Sequence, residues 1–162
     1  MRNVASAVLA VAVLAVVATV SISLILGKWH AASTLADEIS CRADLNIISI
    51  PEIQFMGVMK IHAVNGKGVI LYAGSYRQQS GASGLINRKV FFNYKKNKDM
   101  LYMVSYKATV LPSDNAAEQQ ISALLPRFFY APDITHNVGF YKQGNGNIFA
   151  GTIIPFLYCA KG

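Results

Sequence analysis

Apolar and polar residues alternate along most of the chain after residue 40, and this period is typical of β-strands with one buried face. The clearest run covers residues 100–110, where Ser105, Lys107 and Thr109 lie on one side of the strand. The other side is apolar throughout and comprises Met100, Tyr102, Val104, Tyr106, Ala108 and Val110. This run predicts a half-buried strand that packs its apolar face on the core, and residues 86–94 predict a similar one.

Short turn sequences separate these runs, such as Asn-Gly-Lys-Gly at 65–68 and Gly-Asn-Gly-Asn at 144–147. Because short connections favour antiparallel neighbours, we predict a mainly β domain, built as a small antiparallel meander or barrel of about seven strands. The predicted strands cover residues 43–50, 54–64, 68–77, 85–95, 99–111, 135–143 and 147–158.

One short α-helix is predicted over residues 115–125, before the last two strands. Asn115 and Glu118 fit a capping box at its start, and Pro126 ends it. The helix would lie across the sheet or close one end of a barrel. Its apolar stripe recurs at helical spacing and comprises Ala117, Ile121, Leu124, Leu125 and Phe128.

Residues 4–26 contain no charged side chain. As a helix they would extend about 34 Å, which is enough to span the hydrocarbon core of a membrane. The alternative is a cleaved signal peptide, with residues 31–33 (Ala-Ala-Ser) as the cleavage site. We favour an uncleaved anchor, because the run is longer than a typical signal-peptide core and Trp29 follows it at the expected interface.

The predicted organisation is therefore a transmembrane anchor over residues 1–27, a juxtamembrane stalk over 28–40 and an exported β domain over 41–162. Since three residues precede the apolar run, the N-terminus is expected in the cytoplasm. We predict a single-pass protein of the bacterial inner membrane with its C-terminal domain in the periplasm.

Cys41 and Cys159 are the two cysteines of the chain and lie near the two ends of the β domain. An even number of cysteines in an exported domain predicts a disulfide. Two buried free thiols are the alternative. A metal site fits less well, because His30, His62 and His136 are scattered and no Cys-x-x-Cys is present.

Composition and motifs predict a binding function without catalysis and without a cofactor. The chain is basic, with a net charge of +7, but no nucleophile elbow, phosphate-binding loop, zinc motif or paired carboxylate occurs in it. Basic residues do cluster in one predicted hairpin. On an exported domain they would meet phospholipid headgroups or an acidic partner more readily than DNA, and a solvated hairpin that keeps an edge strand soluble is favoured over either. This cluster comprises Arg88, Lys89, Lys95, Lys96 and Lys98.

The order of segments resembles the FidL-like family of small enteric inner-membrane proteins. The apolar anchor is followed by residues 66–74, 86–94 and 110–115, and the resemblance ends at 155–159. It implies a ToxS-like role, in which the chain partners a ToxR-like membrane-anchored transcription regulator. It also implies a periplasmic heterodimer with a lipocalin-like barrel, which in some related systems binds bile salts.

Two hypotheses lead for the function, and an envelope enzyme and an inert structural subunit of a secretion or adhesion assembly are further alternatives. In the first, the β domain pairs with and stabilises or regulates such a regulator and senses an apolar ligand such as a bile salt. In the second, the chain is a self-sufficient, membrane-anchored, lipocalin-like protein that binds a lipid or other apolar small molecule. The aromatic side chains suit a ligand cavity inside the barrel, although a filled core is the default for a domain of this size.

Overall fold

The computed structural model describes residues 38–49, 53–151 and 154–161. These residues belong to one compact unit, Glu38–Gly162. The predicted anchor, and the predicted stalk up to residue 37, lie outside the described residues. Within the described part of the chain, no helix has both the length and the apolar character that crossing a membrane requires.

The described residues form a closed barrel in which each strand is antiparallel to its neighbours and the strand order follows the sequence. This architecture confirms the predicted mainly β fold. The strands are β1 (Ile39–Ser49), β2 (Ile53–Val64), β3 (Lys67–Gln78), β4 (Ser83–Asn97), β5 (Met100–Val110), β6 (Thr135–Gln143), β7 (Gly146–Ala150) and β8 (Pro155–Ala160). The helix α1 (Glu118–Leu124) and a 3₁₀ turn (Arg127–Phe129) connect β5 to β6.

The barrel has eight strands, and the prediction of about seven misses one. Residues 147–158, predicted as a single strand, contribute to both β7 and β8, which form an antiparallel pair. The sequence 150–155 (Ala-Gly-Thr-Ile-Ile-Pro) contains a glycine and ends in a proline, but its apolar residues made it resemble a continuous strand. The helix consequently precedes the last three strands and not the last two.

The tight turns are placed where the sequence predicts them. Asn65 and Gly66 both have positive φ, at 52° and 80°, which is the requirement for a two-residue turn that matches the twist of a hairpin. Lys98 and Gly144 also have positive φ in the β4–β5 and β6–β7 turns. These turns set the register of three of the hairpins.

The interior of the barrel is filled by its own side chains. Phe92 and Phe128 are almost fully buried, and their ring centroids are 6.0 Å apart. The Tyr72 hydroxyl donates a hydrogen bond of 2.8 Å to the carbonyl oxygen of Phe129. Burial raises the pKa of the Tyr72 hydroxyl, so it stays protonated as a donor. The cavity enclosed by the surrounding core residues measures about 10 Å³, so this part of the interior holds no ligand-sized space.

The start of α1 differs from the predicted capping box. The helix begins at Glu118, and no side chain caps its first turn. The Asn115 side chain instead accepts a hydrogen bond of 2.7 Å from the backbone N–H of Leu85 on β4. Asn115 is therefore used to hold the segment before the helix against the barrel.

The predicted orientation of β5 is wrong. Its buried side chains are Leu101, Met103 and Ser105, while Tyr102 and Val104 of the expected core face are 43% and 40% exposed. Ser105 is accommodated inside because its hydroxyl donates to the carbonyl oxygen of Ala131 at 2.7 Å and accepts from the N–H of Ile134 at 3.1 Å. Both faces of this strand carry apolar residues, so alternation alone did not identify the buried one.

Candidate binding site at the β1–β8 seam

The barrel is weakly closed between its first and last strands. β1 pairs with β2 along its whole length, from Ile39↔Ala63 to Ser49↔Ile53. With β8 it forms one pair among the described residues, Arg42↔Ala160. Residues 43–49 of β1 and 155–159 of β8 therefore face each other without a ladder, and we call this gap the β1–β8 seam.

An open groove of about 1050 Å³ lies along the β1–β8 seam. Its volume is at the upper end of the range for small-molecule sites. The groove is predominantly apolar, with side chains contributed by β1, α1 and β8. Among them are Leu45 and Ile47 from β1, Leu124 of α1 and Leu125 just after it, and Phe156 and Leu157 from β8.

A disulfide holds one end of the seam closed. Cys41 and Cys159 form the disulfide that the sequence predicts, with their Cα atoms 5.3 Å apart. Each cysteine is the immediate neighbour of a residue in the single β1–β8 pair. The covalent link therefore fixes the two strands at that end, and the seam opens along β1 away from it.

His136 of β6 lies at the floor of the groove. Its ring stacks on Phe128, with centroids 5.2 Å apart, and is 6.3 Å from the ring of Phe156. Its Nε2 atom is buried and has no hydrogen-bond partner among the described residues. Burial lowers the pKa of this histidine, so its neutral form is favoured among the aromatic rings.

Charged groups at the seam lie at its rim. The guanidinium of Arg42 is 3.7 Å from the carboxylate of Asp44, and both side chains are mostly exposed. No group of three or more potential metal ligands occurs among the described residues. As far as those residues extend, the groove offers an apolar surface and a β1 edge with one backbone pair to β8, which suit an extended peptide or an apolar molecule.

The predicted basic cluster is divided by the fold. Arg88 points inward from β4, and its Nε donates to the carboxylate of Asp114 at 2.9 Å. The same guanidinium donates to the carbonyl oxygen of Ala116 at 3.0 Å. Arg88 therefore anchors the segment before α1, while Lys95, Lys96 and Lys98 stay exposed.

The residues of the groove were not identified from the sequence. Residues 47–50 (Ile-Ile-Ser-Ile) place two apolar side chains next to each other and so depart from strict alternation. This is the feature of the sequence that could have indicated an unusual strand edge. His136 is one of three histidines scattered along the sequence, and its neighbouring residues in the sequence do not distinguish it from His62. Its position in the groove depends on the pairing of β5 with β6, since Met103 is its partner.

Comparison with known proteins gives one family match. The model of the YqeJ C-terminal domain matches residues 42–159, which include nearly all of the barrel from β1 to β8. No curated protein and no solved structure matches the chain. The finer resemblance to FidL-like and ToxS-like proteins stays a prediction. Because the matched region covers most of the chain, this protein belongs to the YqeJ C-terminal domain family.

Proposed function

We propose that the chain is a non-catalytic accessory subunit of the bacterial inner membrane. Its β domain pairs in the periplasm with a ToxR-like membrane-anchored transcription regulator and stabilises or regulates it. The observation that carries this proposal is the β1–β8 seam, where β1 forms a single backbone pair with β8 within the described part of the chain. This role is the one implied by the FidL-like resemblance.

The seam has the properties of a site for strand addition. Residues 43–49 of β1 present N–H and C=O groups on the side away from β2, and an added strand would hydrogen-bond to them. Leu45, Ile47 and Phe156 would contact alternate side chains of that strand. Backbone pairing would supply affinity and the apolar contacts would supply selectivity.

The same groove supports sensing of an apolar ligand such as a bile salt. Its volume of about 1050 Å³ exceeds that of most small-molecule sites, so a ligand and part of a partner would fit together. A ligand that binds the paired state more tightly shifts the equilibrium towards that state. Regulation through the seam would follow from this difference in affinity.

A second candidate function is a self-sufficient, membrane-anchored, lipocalin-like protein that binds a lipid or other apolar small molecule. The observation in its favour is the completeness of the domain. The eight strands close into a barrel, and the disulfide between Cys41 and Cys159 links its first and last strands without any partner.

Site-specific photocrosslinking in cells distinguishes the two functions. We would place a photoreactive amino acid at Ile48, which is 71% exposed in the seam, and as a control at Leu85, which is 48% exposed on β4. The accessory-subunit proposal predicts capture of a single-span protein with a cytoplasmic DNA-binding domain from Ile48 and not from Leu85. Failure to capture it from either position, with a stable monomer that copurifies with an apolar molecule, contradicts the proposal and supports the second function.

A further inference from the structure

The chain enters the barrel at one end, where β1 begins at Ile39. Because consecutive strands are antiparallel, the β2–β3, β4–β5 and β6–β7 turns lie at this same end, as does the last residue of β8. We call it the entry end. Three backbone N–H···O=C hydrogen bonds join its parts, from Tyr94 to Gly66 (2.8 Å), from Phe140 to Asp99 (2.7 Å) and from Lys161 to Asn145 (3.1 Å).

Positive charge is concentrated at the entry end. Among the described residues there, the carboxylates of Glu38 and Asp99 oppose a larger number of exposed lysines. The opposite end carries Arg77 and Arg127 together with Glu118 and Asp133, so its exposed charges balance. The entry-end lysines are Lys67, Lys95, Lys96, Lys98, Lys142 and Lys161.

Tyrosines on the outer wall lie next to these lysines. Tyr102, Tyr141 and Tyr158 point outward from β5, β6 and β8, within three residues of the strand ends at the entry end. They are 43%, 45% and 47% exposed. Tyrosine is enriched at membrane–water interfaces, where its ring contacts the acyl boundary and its hydroxyl stays hydrated. Lysines at the tip and tyrosines on the wall together match the chemistry of a lipid headgroup layer.

The predicted transmembrane run precedes β1 in the sequence, so its connection to the barrel is made at the entry end. Residues 27–38 separate the predicted transmembrane run from β1, and even fully extended they would reach at most about 43 Å. We propose that the entry end docks on anionic phospholipid headgroups of the membrane that anchors the chain. This inference rests on the membrane anchoring in the proposed function and adds to it a lipid-binding surface on the barrel.

The attraction has a physical basis in the surface potential of anionic membranes. A lysine near an anionic headgroup layer is attracted by its negative surface potential, and the attraction falls off within a Debye length. Six exposed lysines at the entry end would each contribute to it. The interaction weakens with salt, because the Debye length falls from about 10 Å at 0.1 M to about 3 Å at 1 M ionic strength.

Lysine acylation of the full chain in nanodiscs tests the proposal. One preparation contains phosphatidylcholine alone, and the other contains phosphatidylcholine mixed with phosphatidylglycerol. We expect the entry-end lysines to be acylated about fivefold more slowly in the anionic discs, with this protection lost at about 1 M salt. Lys60, Lys89 and Lys107, on the side wall, serve as internal references and should not change.

Two triple variants with equal charge provide the matched control. K95Q/K96Q/K98Q should abolish the protection of Lys67, Lys142 and Lys161, whereas K60Q/K89Q/K107Q should leave it intact. Equal acylation rates in the two lipid compositions would overturn the proposal. Slow acylation of the entry-end lysines in both lipid compositions would also overturn the proposal, because protection that does not depend on the lipid would indicate a protein contact.

The same experiment separates this proposal from the proposed function. A chain that stays in the aqueous phase and does not enter nanodiscs contradicts the membrane anchor. Flotation of that chain with phosphatidylglycerol vesicles then decides the docking. Flotation that is lost in K95Q/K96Q/K98Q supports it, and the absence of flotation overturns it.

Discussion

His136 and the Arg88–Asp114 pair are two of the places where single residues carry buried polar groups. The imidazole of His136 lies among Phe128, Phe129 and Phe156, and no described residue forms a hydrogen bond with its Nε2 atom. Asp114, by contrast, is satisfied by the guanidinium of Arg88 and by two backbone N–H groups. Each arrangement leads to a prediction about the stability of the protein that the neighbouring residues in the sequence do not indicate.

Stability is expected to fall as the pH drops below the usual histidine value of 6.5. Burial lowers the pKa of His136 in the folded state, so the unfolded chain takes up a proton first as the pH falls, and this favours unfolding. The contribution of His136 to the slope should stay below about 1.4 kcal/mol per pH unit, because a single group takes up at most one proton on unfolding. Urea unfolding between pH 7.5 and pH 5 measures it.

His136→Phe keeps the aromatic ring and removes the titration, so its stability should depend less on pH in this range. His62→Gln, at an exposed position on β2, is the control and should behave like the wild type. An unchanged pH dependence in His136→Phe would show that another group is responsible.

Asp114→Ala is expected to destabilise the protein by about 3–5 kcal/mol, because it leaves the buried guanidinium of Arg88 without its counter-charge. Asp44→Ala removes the partner of Arg42 in an exposed pair and should cost less than about 1 kcal/mol. Urea unfolding of both variants measures the difference. Equal losses would mean that the buried pair contributes no more than a surface pair.

Among the secondary-structure elements, β2 and β3 approach each other closely because two glycines lie where the two strands pair. Gly57 and Gly74 are directly paired across the two strands. A Cβ atom on Gly57 would lie 2.9 Å from the Cα of Gly74 and 2.7 Å from the ring of Phe55, and would also meet the carbonyl oxygen of Ala73. Glycine in a strand is typical of such close backbone contact, where a sheet bends to close a barrel.

Gly57→Ala should therefore destabilise the barrel by about 1–3 kcal/mol, because the strands must separate to admit the methyl group. Gly151→Ala is the control, since the nearest atom to its added Cβ is the carbonyl oxygen of Ile154 at 3.6 Å. Thermal unfolding followed by circular dichroism compares the two. A Gly57→Ala protein as stable as Gly151→Ala would refute the close-packing argument.

The sequence predicts elements better than it predicts their orientation. The turns at Asn65-Gly66 and Gly144-Asn145 required particular residues at particular positions, and those local requirements are visible in the chain. The buried side of β5 was not visible, because Tyr102 and Leu101 are equally acceptable in a core. The buried face of β5 is the one that carries Ser105. The hydroxyl of this residue forms hydrogen bonds with Ala131 and Ile134, which lie on a loop that is distant in sequence.

For the molecule as a whole, stability depends on the connection between the first and last strands of the barrel. Cys41 and Cys159 are separated by 118 residues in sequence, so their disulfide closes a long loop. The chain-entropy model gives such a loop about 4–5 kcal/mol of stabilisation. With one β1–β8 backbone pair at this position, the disulfide is the main connection across the seam in the described residues.

The double variant Cys41→Ser/Cys159→Ser should lose about 4–5 kcal/mol of unfolding free energy, and reduced wild-type protein should behave in the same way. Urea unfolding with and without dithiothreitol measures both. The variant should show no response to the reductant. If it unfolds at the same urea concentration as the oxidised wild type, the seam is held by other contacts.

The sequence by itself determined the β content, the positions of the turns and the presence of a disulfide. These properties depend on residue period, on local backbone requirements and on cysteine number, which are all written in short stretches of the chain. The tertiary structure alone decided the inward face of β5, the Arg88–Asp114 pair, the incomplete β1–β8 ladder and the groove beside it. Each of these depends on which distant residues meet, and strand period carries no information about that, because alternation is the same whichever strand becomes the neighbour.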